Sequence, residues 1–66
     1  MQVVLNGEPR TLPPGTTLAA LLAQLALAGR RIAVEVNEEI VPRGEHAATV
    51  LRDNDRVEIV HAIGGG

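Results

Sequence analysis

The sequence predicts an α+β fold in which one helix lies across one face of a mixed β-sheet. Three observations carry that reading. A hairpin signal opens the chain, where Val3-Val4-Leu5 runs into Asn6-Gly7, a pair suited to the positive φ angles of a type I′ turn. Leucines at helical period follow, with Leu18, Leu21, Leu22 and Leu25 at i, i+3, i+4 and i+7. Two alternating runs come after them, one built on Ile32, Val34 and Val36 and one starting at Val57.

Each element has a local cause. In the first strand Val3 and Leu5 share one face and Val4 takes the other. The return strand covers 8–12, and Pro9 within it, having no amide proton, places it at an edge or a bulge. Pro13-Pro14-Gly15 ends that strand. Thr16 or Thr17 is placed to cap a helix over residues 17–28, which Ala19, Ala20, Ala23 and Ala26 favour. Gly29 is the expected stop, with Arg30 and Arg31 suited to the negative end of the helix dipole. A strand over 32–36 turns at Asn37-Glu38-Glu39 into a short extended piece, Ile40-Val41, closed by Pro42. Residues 43–51 have no clean period and read as a loop with one helical turn near 45–48. Asp53-Asn54-Asp55 makes a polar turn before the last strand, 57–63. First and last strands can then pair in parallel at the centre of the sheet. That is the order of a β-grasp, or ubiquitin-like, fold, with residues 1–63 as its one domain and 64–66 as a flexible glycine tail.

Composition narrows the function. The chain has 66 residues, near the lower limit for a domain without metal or disulfides. It has no cysteine, hence no disulfide, thiolate nucleophile or thiolate metal site. With no Phe, Trp or Tyr, the core must come from eight Leu, eight Val, four Ile and some of nine Ala, which predicts a thin core and modest stability. Eight acidic residues face six basic ones, all Arg, for a net charge of −2. The lack of a basic run and of aromatic stacking platforms argues against a nucleic-acid partner. Met1 leads straight into a strand and no apolar run reaches spanning length, so the expectation is a cytoplasmic protein with no membrane partner.

Gly64, Gly65 and Gly66 are the stretch that best explains the rest. Three consecutive glycines are costly to order and are expected to stay mobile. Extended, they reach about 10 Å beyond the body, far enough to put a terminal carboxylate into another protein's active site. Having no Cβ, they fit a channel that excludes side chains. A frayed end without a function is the alternative. Other candidates for chemistry are weaker. His46 and His61 share no helical register and have no cysteine to complete a zinc set, so no metal site is expected. Glu35, Glu38 and Glu39 fit a solvated strand edge and turn better than a paired-carboxylate site. No catalytic residue is assigned.

The residues Val3-Val4-Leu5-Asn6-Gly7, Pro14-Gly15-Thr16-Thr17-Leu18, Leu21-Leu22, the run from Ala33 through Glu35, Asn37 and Pro42 to Arg43, and the terminal Gly65-Gly66 form a pattern over almost the whole chain. In that pattern the sequence resembles the ThiS family, small sulfur carriers of thiamine (thiazole) biosynthesis. Asn54 stands where the family usually has Gly, and Gly64 precedes the terminal pair. The resemblance implies a β-grasp fold and a protein co-substrate rather than an enzyme. It implies that an E1-like, ThiF-like adenylyltransferase consumes ATP to adenylate the Gly66 carboxylate. That carboxylate then becomes a thiocarboxylate with sulfur from a donor protein such as a cysteine desulfurase. A ThiG-like thiazole synthase receives the sulfur. No permanently bound cofactor is implied. The chemistry suits the residues: a carboxylate is a poor electrophile until its oxygen becomes a leaving group, and Gly65 leaves the acyl carbon unhindered. Arg43 matches the family's Val-Pro-Arg segment, where it anchors the loop or contacts a partner.

Alternation also defines a docking surface. If Val3, Leu5, Val57 and Ile59 face the helix, then Val4, Val60 and Ala62 face outward near the tail and offer a patch to the adenylating enzyme. Scattered surface valines are the other reading. Two further functions stay open: a carrier like the small subunit of molybdopterin synthase, and a ubiquitin-like interaction module with an inert tail. The 37–43 segment and the short chain favour the thiazole carrier over the former.

Overall fold

Two hairpins and one crossover helix build the sheet in the computed structural model, which describes residues 1–61. Strands β1 (Gln2–Leu5) and β2 (Glu8–Thr11) form the first hairpin, and β3 (Ile32–Val36) and β4 (Glu39–Ile40) the second. The last strand, β5 (Arg56–His61), enters between them, giving the order β2-β1-β5-β3-β4. Only the β1–β5 pair is parallel. The mixed sheet with its helix on one face is the β-grasp arrangement. Pro9 lies on β2, an edge strand, where its missing donor costs no ladder bond.

Both hairpins use the same turn. Asn6 and Gly7 have φ of 48° and 85°, and Asn37 and Glu38 have 53° and 71°, so each pair has the double positive φ of a type I′ turn. The second turn takes Glu where glycine would be easier, and the hairpin closes one residue earlier than the sequence indicates. Strand β4 therefore starts at Glu39, not Ile40. Asn54 has φ 72°, so it supplies the left-handed residue that glycine would supply elsewhere.

The helix α1 (Leu18–Gln24) is shorter than residues 17–28. Its start is as expected: the Thr17 hydroxyl accepts the Ala20 amide at 3.1 Å. The next donors, on Leu18 and Ala19, reach the carbonyls of Thr49 and His46 at 2.8 and 3.0 Å. Its end is a correction. Ala26, not Gly29, takes the left-handed conformation at φ 59°. The Leu27 amide bonds back to the Leu22 carbonyl at 2.8 Å and the Ala26 amide to Ala23 at 3.1 Å, a Schellman closure. Turning the chain here lets Leu27 pack with Leu25 against the core, which outweighs the helix preference of Ala26 and Ala28. Gly29, at φ 78°, serves the following turn instead.

The one helical turn of the 43–51 loop is a 3₁₀ turn at Arg43–Glu45, ahead of the expected 45–48, because Pro42 sets the entry and its carbonyl takes the Glu45 amide at 2.9 Å. Strand β5 begins at Arg56, and the last two residues of the expected strand, with the expected domain boundary, lie outside the described residues. The core between helix and sheet is Leu18, Leu21 and Leu22 packed on Val3, Val34, Val57 and Ile59, closed by Leu12 and Leu51.

Candidate functional site: the central strand and the open sheet face

Strand β5 leads to the glycines and is the best-anchored strand of the sheet. Five residue pairs hold it to β3, from Ile32–His61 to Val36–Val57. Its ladder with β1 is shorter, Val4–Arg56 and Leu5–Val57, because β1 turns away at Asn6. The Asn6 side chain extends it. Its Oδ1 accepts the Ile59 amide at 2.8 Å and its Nδ2 donates to the Ile59 carbonyl at 3.4 Å, while its own backbone amide takes the Val57 carbonyl at 2.8 Å. A side-chain amide thus stands in for the next peptide group of β1. Asn37 performs a matching task where β5 begins. Its Oδ1 accepts the Arg56 amide at 2.9 Å, its backbone amide takes the Arg56 carbonyl at 2.8 Å, and its Nδ2 donates to Asp55 Oδ1 at 3.0 Å. The first residue of each I′ turn therefore grips the same strand from opposite sides, Asn37 at its start and Asn6 at its middle.

The sheet face away from the helix is set by register. Val4, Arg56, Glu58, Val60, Ala33, Glu35 and Ile40 share it. Val60 is 62 % and Ile40 71 % exposed, whereas Val4 is half-buried. Val60 has Ala33 as its cross-strand neighbour. Val4 lies beside Arg56, four residues back along β5 and so about 13 Å from Val60, with Glu58 between them. The structure does not bring Val4 and Val60 together. Ile40 joins this face although a two-residue extended piece has no period from which its facing can be read. Its position opposite Glu35 was readable only from the turn type, which fixes the register. Ala62, Gly64, Gly65 and Gly66 lie outside the described residues.

The remaining candidates separate. His46 is half-buried and its Nε2 donates to the Val41 carbonyl at 3.0 Å, a loop-fixing role. His61 is exposed at the end of β5. Among the described residues no three His, Cys, Asp or Glu side chains converge on a metal-sized site. Glu38 pairs with Arg56 at 3.4 Å with both side chains in water, and Glu35 and Glu39 sit on opposite sheet faces, so the three carboxylates form no cluster. Arg43 donates to the Arg30 carbonyl at 2.9 Å, anchoring the loop to the segment after the helix. No helix of the described residues is long and apolar enough to cross a membrane.

Comparison with known proteins places this architecture. The model of the ThiS family matches residues 3–66. The sulfur carrier protein ThiS of Escherichia coli is 32 % identical over 66 residues, covering all of both chains. A thiazole synthase of Magnetococcus marinus is 48 % identical over 66 residues, and there the match covers this whole chain but 20 % of the relative, so the chain spans about a fifth of that protein's length. The crystal structure of the thiamine biosynthesis protein ThiS from Geobacter metallireducens superposes with a TM-score of 0.87 at 33 % identity over the full length of both chains. A five-stranded sheet around a doubly gripped last strand, and a family match that runs to the final glycine, agree: the chain belongs to the ThiS family, the sulfur carrier proteins of thiamine biosynthesis.

Proposed function

We propose that the protein carries sulfur as a thiocarboxylate on Gly66 and delivers it to a thiazole synthase. The observation that carries this is the extent of the family match, which includes the three glycines at positions 64–66. The chemistry needs little from the carrier itself. An E1-like adenylating enzyme binds the body, threads the glycines and transfers AMP from ATP to the carboxylate, with pyrophosphate leaving. The outer sulfur of a persulfide on a donor such as a cysteine desulfurase then displaces AMP to give an acyl disulfide. A thiol that attacks the donor-side sulfur breaks the S–S bond, releasing the thiocarboxylate and leaving a disulfide on the donor. Gly65 and Gly64 keep the path to the acyl carbon free of side chains. The relatives named thiazole synthase, of which this chain matches about a fifth, support the destination. In this reading the exposed Val60, with Ala33 beside it and Ile40 on the same face, is the apolar part of the docking surface, and Val4 marks its far border.

Intact-mass measurement after incubation with the cognate adenylating enzyme, ATP and a sulfur source tests the proposal. The expected gain corresponds to one oxygen replaced by sulfur, and fragmentation assigns it to Gly66. An unchanged mass with enzyme that is active on another carrier removes the carrier reading for this chain.

A further inference from the structure

At the end of the sheet where Ile32 pairs with His61, the described residues leave the core open. An apolar cavity of about 210 Å³ opens there, walled by Leu22, Leu27 and Ile32 and edged by Arg30, Arg43 and His46. The Schellman closure of α1 creates it, since it sets Leu27 against Leu22 and leads the chain past the opening. The bond from Arg43 to the Arg30 carbonyl gathers two arginines at one lip, and Arg31 follows in the chain. All three are exposed. Among the described residues the one ion pair, Arg56–Glu38, sits at the other end of β5. Asp53 and Asp55 lie at that other end too, bonded to Gln2 and Asn37. Where β5 begins, Glu38, Asp53 and Asp55 lie with Arg52 and Arg56. At the end toward which the strand runs, Arg30, Arg31 and Arg43 gather with Glu45 of the same 3₁₀ turn as Arg43, so among the described residues the excess of positive charge lies at that second end.

We propose that this cavity and its arginines are a second docking point for the enzyme that adenylates the glycine end. It receives one aliphatic side chain from a carboxylate-rich segment of that enzyme. Apolar walls desolvate the inserted side chain, and the guanidinium groups offer forked donors to the carboxylates around it. The three guanidinium groups steer this end of the molecule toward those carboxylates. This docking point is on the helix side of the sheet, separate from the open face, and it rests on the carrier reading because its occupant is the activating enzyme.

The test compares association and dissociation rates of the complex with the adenylating enzyme for four proteins: wild type, R30E/R31E, A47L and R10E/R52E. Ala47 lines the cavity, so A47L fills it from an exposed position. R10E/R52E makes the same charge change elsewhere on the surface and serves as the control. R30E/R31E is expected to slow association roughly tenfold at low ionic strength, with the gap closing as salt rises. A47L is expected to speed dissociation, and the control to change neither rate as much. If wild type binds and all four proteins behave alike, this proposal falls and the carrier reading stands. If wild type does not bind, both fall. Two other occupants are also read out. Semisynthetic protein with a Gly66 carboxamide in which R30E/R31E loses its effect would assign the arginines to the chain's own carboxylate. A wild-type dimer in sedimentation that R30E/R31E dissociates would assign the cavity to a second copy. Either result overturns the proposal.

Discussion

Asn6 is the residue on which most depends for its size, because it does two separable things. Its backbone takes the left-handed turn and its side chain holds Ile59 across 53 residues of sequence. Replacing it by glycine keeps the turn and removes the grip. N6G is expected to lose about 1–2 kcal/mol in urea unfolding, the usual cost of an unpaired backbone group plus its bond. N6A loses the grip and also strains the turn, costing about 1 kcal/mol more. Amide exchange reads the grip directly: the Ile59 amide should lose protection in N6G while the Val34 and Val57 regions keep theirs. Equal protection in N6G and wild type would show that the side-chain bonds contribute nothing. The turn role of Asn6 was legible in the sequence because Asn-Gly has a local cause. The grip was not, since nothing within reach of position 6 along the chain announces residue 59.

At the scale of the element, the helix end shows where local reasoning stops working. Four alanines and a following glycine argue for a helix to residue 28, yet it closes after Gln24 with Ala26 at φ 59°. Propensities among such residues differ by tenths of a kcal/mol, and burying Leu27 is worth more. Ala26 is exposed, so the left-handed strain has no packing to compensate it locally. A26G is therefore expected to raise stability by about 1 kcal/mol, seen as a higher denaturant midpoint at unchanged slope. A drop instead would mean that the helix end rearranges once the alanine is gone. The strands were more legible than the helix end because alternation reports burial directly: Val3, Val57 and Ile59 are buried and Val60 is exposed, as their parity requires. Ile40 escaped because a two-residue strand has no period to read.

For the whole molecule, the open face and the core are expected to respond to different substitutions, which is what the proposed docking role requires. V60E places a charge at a position already 62 % exposed, so unfolding should shift by less than about 0.5 kcal/mol. Its complex with the adenylating enzyme should weaken by roughly tenfold or more, measured by calorimetry, as expected when a buried charge enters an apolar contact. Unaltered affinity would take Val60 out of the interface. The arrangement of β5 has a further, mechanical meaning. Met1 and the end of β5 sit at opposite ends of two parallel neighbours, β1 and β5. Tension applied through the two termini therefore loads that pair in shear, so its hydrogen bonds must yield together and not one after another. Pulling the β1–β2 hairpin apart from its open ends instead peels single bonds in turn. Single-molecule extension should find a markedly higher unfolding force through the termini than through Met1 and Leu12, and equal forces would refute it. If, as proposed, its glycine end is drawn into successive enzymes, the protein is loaded in the direction in which its sheet resists best.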